Sequence, residues 1–183
     1  NVKRLLAYSS ISHAGFLVLA LAGTASARFD LSSGGLVSFY LATYLPTTLL
    51  AFLLLCVLRS QGVGDELKDI SGLAKRSPGM ALALTIAFAS MAGVPLTAGF
   101  MGKMLVFFAA VDRGQFGVVA VAVLGAAAGF YYYLRPILAV YSSGESDNVK
   151  LTMSPLARLT AILLIAAIFV LGVYPAILQP VLK

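Results

Sequence analysis

Apolar residues gather in five long stretches along the chain, at residues 5–24, 36–58, 80–111, 116–141 and 156–178, with polar residues confined largely to the short segments between them. A helix needs roughly 20 mainly apolar residues to cross the hydrocarbon core of a bilayer, and all five stretches reach that length. None alternates with the period of two that marks a half-buried strand. The pattern predicts an all-α polytopic membrane helix bundle of about five transmembrane helices, in a single membrane domain over residues 1–183.

The third stretch is too long for a simple crossing. As one helix, its 32 residues would extend about 48 Å against a core of about 30 Å. Its middle reads Ala92-Gly93-Val94-Pro95-Leu96-Thr97, with Gly99 and Gly102 following. Proline removes a backbone donor and clashes with the preceding turn, and glycine loosens the chain. The third helix is therefore expected to be discontinuous near residues 93–98, the alternative being a local proline kink. Irregular backbone at membrane depth is tolerated only inside protein or beside a wet cavity. Pro46 is expected to kink the second helix.

Composition agrees with the pattern. Hydrophobic residues make up 60% of the chain and charged residues 11%, against about 25% charged in an ordinary soluble domain. Mean hydropathy is +0.96. Too few polar groups remain to cover a water-exposed surface, and a lipid bilayer covers the rest. The net charge of +6 forms no basic stripe and no aromatic platform, which argues against nucleic acid as a partner. The basic residues lie mainly in connecting segments. Lys3, Arg4, Arg59, Lys68, Lys75, Arg76, Lys150 and Arg158 fall on one side of the expected topology, with Arg28, Arg113 and Lys183 on the other. This bias puts the N-terminus on the cytoplasmic side and the C-terminus outside. Arg135 agrees, and Tyr131, Tyr132 and Tyr133 beside it fit interfacial anchors or, alternatively, a polar path. Val2-Lys3-Arg4 ahead of an apolar run and Ala25-Ser26-Ala27 imitates a signal peptide, but Tyr8, Ser9, Ser10, Ser12 and His13 make the candidate apolar region too polar. With no initiator Met, the chain is expected to begin inside a longer polypeptide.

A few polar groups lie within the apolar stretches. Lys103 lies about 12 Å along a helix from the end of the third stretch, deep for snorkelling. A charge at such depth costs at least about 2.5–3.5 kcal/mol on insertion scales. Lysine is able to alternate between ammonium and amine in a desolvated site, as a proton-relay group must. The competing reading is a snorkelling or lipid-facing Lys103. His13 suits proton transfer by its chemistry, and equally a hydrogen bond to a neighbouring helix. Tyr40, Tyr44 and Thr47 share a face of the second helix and form a candidate polar path, or alternatively an interhelical hydrogen-bonding stripe. The carboxylates Asp30, Asp65, Glu66, Asp69, Asp112, Glu145 and Asp147 all fall in loops, so Lys103 has no acidic partner at membrane depth in this chain. The lone Cys56 permits no disulfide within the chain. No phosphate loop, metal-ligand spacing or Ser-His-Asp set is present, and neither cofactor nor metal is expected.

Three segments carry a resemblance. The run from Asn1 to Gly15, NVKRLLAYSSISHAG, resembles the signature of the antiporter-like membrane subunits of respiratory complex I. Ala92 to Lys103, AGVPLTAGFMGK, resembles their broken helix, and Tyr131 to Arg135, YYYLR, the helix after it. The resemblance spans the chain. Within the family it is most similar to the subunit N type of NADH:quinone oxidoreductase, because Lys103 stands where subunit M carries glutamate. Subunit L has lysine followed by acidic residues, unlike Met104-Leu105-Val106, and the second helix here lacks the paired histidines of L and M.

The resemblance implies helices ten to fourteen of a fourteen-helix subunit built from two inverted five-helix repeats. It implies Lys103 as terminal proton-loading site, beside which His13 stands, on its own chemistry, as the second candidate translocation residue. The chain would perform no redox chemistry itself and would hold no cofactor. Its partners would be the other membrane-arm subunits of complex I, the missing N-terminal helices of the same subunit, and the lipid bilayer. The location would be a bacterial plasma membrane or the inner membrane of an energy-transducing organelle. The family's glutamate–lysine pair and central lysine have no counterpart here, so this chain alone is not expected to pump. Alternatives are a subunit of a multisubunit sodium/proton antiporter or membrane-bound hydrogenase, and a structural membrane spacer.

Overall fold

A computed structural model of the chain describes residues 1–22, 32–143 and 150–178. Helix starts follow from capping chemistry. The side-chain oxygen of Asn1 accepts the Arg4 amide at 3.2 Å and opens α1, Val2–Leu21. Ser32 does the same for the Gly35 amide at 3.0 Å and opens α2, Ser33–Ser60, which runs unbroken through Pro46. A one-turn helix α3, Leu73–Arg76, leads into α4, Pro78–Ala92, and proline takes its favoured first-turn place there. Then follow α5, Ala98–Asp112, and α6, Phe116–Tyr141. Ser154 caps α7, Pro155–Val173, through the Ala157 amide at 3.2 Å, and a 3₁₀ turn covers Pro175–Leu178.

Four helices, α1, α2, α6 and α7, are each long and apolar enough to cross a membrane. The fifth crossing consists of α4 and α5, two half-helices of 15 residues each. The long third stretch is thus interrupted at residues 93–97 rather than kinked. The first helix starts three residues earlier than the hydrophobic pattern marks, and the last regular helix ends five residues sooner, in the 3₁₀ turn. Residues 23 and 24 of the expected first crossing lie outside the described residues, as do Arg28, Asp30, Glu145, Asp147 and Lys183. Among the described residues there is no strand. The chain is a multi-pass membrane protein, and the large apolar side chains exposed along α6 and α7, such as Val121, Leu124, Leu159 and Leu163, form the kind of surface that lipid covers.

Connections at one end are laced together. The Val2 amide donates to the Asp65 carbonyl at 2.8 Å, and the Lys3 ammonium meets the Asp65 carboxylate at 2.7 Å, with Arg59 at 3.4 Å. Gln61 exchanges two hydrogen bonds with the Thr152 backbone, at 2.9 and 3.0 Å. The Leu151 amide donates to the Arg76 carbonyl at 3.3 Å. These bonds gather the start of α1, the α2–α4 connection and the start of α7, and with them Lys3, Arg4, Arg59, Arg76, Lys150 and Arg158. The Lys3 hydrogen bond first, then the charges of Lys3 and Arg59, hold the Asp65 carboxyl below its usual range. Because the folded value is depressed, the clasp's contribution is present at neutral pH and is lost only as pH falls through the folded value, below the ordinary carboxylate value of about 3.9. The protection of the Val2 amide, its exchange rate relative to that of a free amide at the same pH, is expected to hold at neutral pH and to fall only in acid; loss of protection already at pH 6 would contradict the clasp.

Burial divides the interior into two apolar clusters. One joins Leu50, Leu54 and Leu58 of α2 to Leu84 and Phe88 of α4. The other joins Phe16 of α1 and Phe39 of α2 to Val106 and Ala110 of α5. Among the described residues the buried polar side chains are Ser9, His13, Thr43, Thr47, Ser90, Thr97 and Lys103. They gather where the half-helices meet. A polar layer therefore separates the two apolar clusters at the depth of the helix break.

Candidate functional site in the polar layer at the helix break

A helix end leaves its last four carbonyls without intrahelical partners. At the end of α4 each of the four finds a donor. Gly93, at φ 91°, takes the left-handed conformation that ends the helix. Its amide donates to the Ser90 carbonyl at 3.0 Å, and the Val94 amide donates to the Ala89 carbonyl at 3.0 Å. That is the pairing of a Schellman cap. The two remaining carbonyls belong to Met91 and Ala92. The Lys103 ammonium donates to both, at 2.8 and 3.2 Å.

Lys103 is thus a side-chain cap for the half-helix before its own. Only 7% of its surface is exposed, and its nitrogen lies 5.6 Å from the centre of the Phe16 ring. Among the described residues it has no carboxylate partner. The negative end of the α4 dipole, equivalent to roughly half an elementary charge, and the face of an aromatic ring stand in for one. This placement excludes the snorkelling and lipid-facing readings of Lys103 for this arrangement. A methyl group at Gly93 would lie 3.4 Å from Lys103 Cδ, and the φ itself disfavours any side chain. Gly93→Ala is expected to lower stability by about 1 kcal/mol and to displace the ammonium. Thermal unfolding compared with wild type checks it, and an unchanged midpoint would contradict the account.

The connection after Gly93 is a tight turn. Pro95 takes its second position, Leu96 its third at φ 72°, and the Thr97 amide closes it on the Val94 carbonyl at 3.3 Å. That is the pattern of a type II turn, in which glycine is usual where Leu96 stands. The turn packs onto α7 at Gly172, where a Cβ would collide with the Leu96 and Thr97 backbone. On the far side of the turn, the Gly99 amide at the start of α5 donates to Ser90 Oγ at 3.2 Å. Ser90 in turn meets Thr47 Oγ1 at 3.0 Å, and Thr47 reaches the Thr43 carbonyl at 3.2 Å. One consistent set of directions runs from the Gly99 amide through Ser90 and Thr47 to the Thr43 carbonyl. Gly99 lies directly on the Ser90 carbonyl, which no larger residue permits.

His13 occupies the centre of the layer. Its Nδ1 lies 2.7 Å from the Tyr40 hydroxyl and its Nε2 3.4 Å from the Tyr133 hydroxyl. Tyr133 also bonds Ser9. The Tyr44 ring lies 4.4 Å from the imidazole, centre to centre. A cavity of about 10 Å³ is bordered by His13, Tyr40, Tyr44, Thr47, Ser90 and Met91. A volume on the order of 10–15 Å³ matches one water molecule. The cavity connects the histidine group with the carbonyl end that holds Lys103.

The structure thus brings together Lys103, His13, Gly93, Pro95, Gly99, Tyr40, Tyr44 and Thr47. Sequence reasoning passed over Ser90 and the carbonyls of Met91 and Ala92, and it left Tyr131, Tyr132 and Tyr133 together between interfacial anchors and a polar path. The three tyrosines of α6 do not act alike. Tyr131 is 63% exposed and bonds Arg135 at 3.0 Å, as an interfacial anchor does, whereas Tyr133 is 1% exposed inside the polar layer. The buried positions of α6, Gly129, Tyr133, Pro136 and Val140, lie at helical spacing on one face, and Tyr133 is the tyrosine that falls on it. Among the described residues no group of three or more His, Cys, Asp or Glu could hold a metal ion.

A sequence profile described as the transmembrane region of NADH:quinone oxidoreductase and Mrp antiporters matches residues 1–129. The chain belongs to this NADH:quinone oxidoreductase/Mrp antiporter family. It is 42% identical over 185 residues to a protein of Herpetosiphon aurantiacus named NADH-quinone oxidoreductase subunit N 2, covering 100% of this chain and 33% of that protein. A subunit N of Methylococcus capsulatus is 39% identical over 177 residues, 96% of this chain and 35% of that one. In three dimensions the chain is similar to a chain of respiratory complex I from Thermus thermophilus solved with bound aureothin. The TM-score is 0.78 at 34% identity, over 98% of this chain and 40% of the other. The chain spans about a third of the length of the curated relatives it matches. The broken helix and His13 both lie within the region the family profile matches.

Proposed function

We propose that this chain carries the outer proton-loading segment of a membrane-arm subunit of NADH:quinone oxidoreductase, of the subunit N type. The observation that carries the proposal is the Lys103 ammonium, buried without a carboxylate among the described residues and held on the Met91 and Ala92 carbonyls beside a water-sized cavity. A lysine so placed has one removable proton and neighbours that favour its charged form by dipoles alone. Small movements of the α4 end or of nearby charges then suffice to change its proton affinity. Quinone reduction elsewhere in the assembly supplies such changes. The proton arrives along hydrated groups through the polar layer and leaves to the outside when Lys103 is again disfavoured as a cation. The gathered basic residues face the cytoplasm and α7 ends outside.

In this reading the chain performs no electron transfer and holds no cofactor or metal. Its partners are the other membrane-arm subunits, the remaining helices of a full-length subunit, and lipid. The relatives named subunit N favour this assembly over an Mrp antiporter, which shares the family.

The test is NADH-driven proton uptake into inverted membrane vesicles holding the full assembly with Lys103→Ala, at matched subunit content. Loss of pumping with reduced quinone turnover supports the reading. Normal pumping sinks it and leaves Lys103 as a helix cap in a membrane spacer.

A further inference from the structure

Tyr133 is the last member of the polar layer along the chain. It comes from α6, which places only a few side chains in the interior, yet its ring is buried against Phe88 and Tyr132. Its hydroxyl faces Ser9 on one side and His13 Nε2 on the other, and it also hydrogen-bonds Tyr132. The second imidazole nitrogen faces the Tyr40 hydroxyl. Ser9, Tyr133, His13 and Tyr40 therefore form one hydrogen-bonded series across α1, α6 and α2. Tyr40 and His13 both border the cavity that leads to Ser90 and the end of α4. At the other end, Tyr132 packs against Tyr133 with ring centres 4.4 Å apart and lines a cleft between α1 and α6 that also includes Arg4, Tyr8 and Arg135.

A neutral imidazole has one N–H donor and one acceptor nitrogen. With a hydroxyl on each nitrogen, one tyrosine must donate to the ring and the other must accept from it.

We propose that Ser9, Tyr133, His13 and Tyr40 form a proton relay in which the imidazole changes tautomer, and that Tyr133 is the relay residue admitting protons from the α1–α6 side. This deepens the proton-translocation reading and rests on it. In the starting arrangement Tyr133 donates to Nε2 and Nδ1–H donates to Tyr40. A proton delivered from the α1–α6 side is taken up by the Ser9 oxygen, and the Ser9 proton passes to the Tyr133 oxygen. The Tyr133 proton moves to Nε2 and the Nδ1 proton moves to the Tyr40 oxygen. The former Tyr40 proton leaves to a water in the cavity, in the direction of Lys103. One proton has crossed, each side chain is neutral again, and the imidazole has exchanged its N–H from Nδ1 to Nε2. Rotation of the hydroxyls and return of the ring to its first tautomer reset the series.

The two links differ. The Tyr40 link at 2.7 Å is closed, whereas the Tyr133 link at 3.4 Å is slack and must tighten for transfer. A small shift of α6 against α1 opens or closes the relay at Tyr133.

Tyr133→Phe keeps the ring and removes only the hydroxyl. In vesicles holding the full assembly it is expected to slow proton uptake about tenfold or more, as loss of a positioned proton-transfer group does. Tyr40→Phe is expected to do the same, and Tyr131→Phe to leave uptake unchanged. Should Tyr133→Phe fail to assemble, Ser9→Ala interrupts the same series with a smaller change. Replacing Tyr133 by 3-fluorotyrosine keeps ring and hydroxyl while making the phenol more acidic. A relay predicts a shifted pH profile of uptake, whereas a hydroxyl that only holds the helices together predicts the wild-type profile. Wild-type uptake in Tyr133→Phe, or an unshifted profile with fluorotyrosine, overturns the relay. If Lys103→Ala still abolishes pumping in either case, the translocation reading stands without it. If Lys103→Ala pumps normally, that reading falls independently of Tyr133.

Discussion

Lys103→Met and Lys103→Arg are expected to part company. Methionine has nearly the volume of the lysine stem but no donor, so the Met91 and Ala92 carbonyls lose the bonds that complete the end of α4. Each buried acceptor left without a donor costs about 1–3 kcal/mol, and with two of them Lys103→Met should lower stability by about 2–6 kcal/mol while abolishing proton transfer. Arginine keeps the positive charge and several N–H donors, and it does not deprotonate in proteins. Where its larger head is accommodated, Lys103→Arg should recover much of the stability and none of the pumping. Thermal unfolding of the assembled complex, set beside NADH-driven proton uptake in the same membranes, separates the two roles. Pumping by Lys103→Arg would mean that Lys103 serves the helix end alone and that its proton is never exchanged.

The second large effect concerns the closest approach within the broken helix. A Cβ on Gly99 would overlap the Ser90 carbonyl, which is backbone and cannot swing aside. Gly99→Ala must therefore separate α5 from α4, strain the Gly99–Ser90 bond, and move Lys103, one turn further along α5, away from its two carbonyls. Overpacking alone costs about 1–3 kcal/mol, and the strained hydrogen bonds add to it, so more than about 3 kcal/mol is expected. Gly125 on α6 provides the contrast. A Cβ there meets nothing within 4 Å, and Gly125→Ala should be neutral or stabilising by up to about 1 kcal/mol through helix propensity. Unfolding midpoints of the two variants decide the matter, and equal midpoints would remove the close approach as an explanation.

The sequence alone determined the class of the molecule and the location of its irregularity. Length and hydrophobicity are additive along a segment, so five crossings and an overlong third one are legible without any fold. A glycine followed two residues later by proline marks the break because both act on their own local backbone. Lys103 and His13 stand out because a polar group in an apolar run has a cost that does not depend on its neighbours. What these groups touch was not legible. The ammonium binds carbonyls 11 and 12 residues away, on a different half-helix, and backbone acceptors carry no mark in the residue alphabet. Ser90 reads as an ordinary small residue until the turn folds α5 back and aims the Gly99 amide at it. Tyr131 and Tyr133 are the same residue two positions apart, yet a rotation of about 200° around the α6 axis sends one outward to Arg135 and the other inward to His13. Only the packing of α1 and α4 against α6 decides which tyrosine is which.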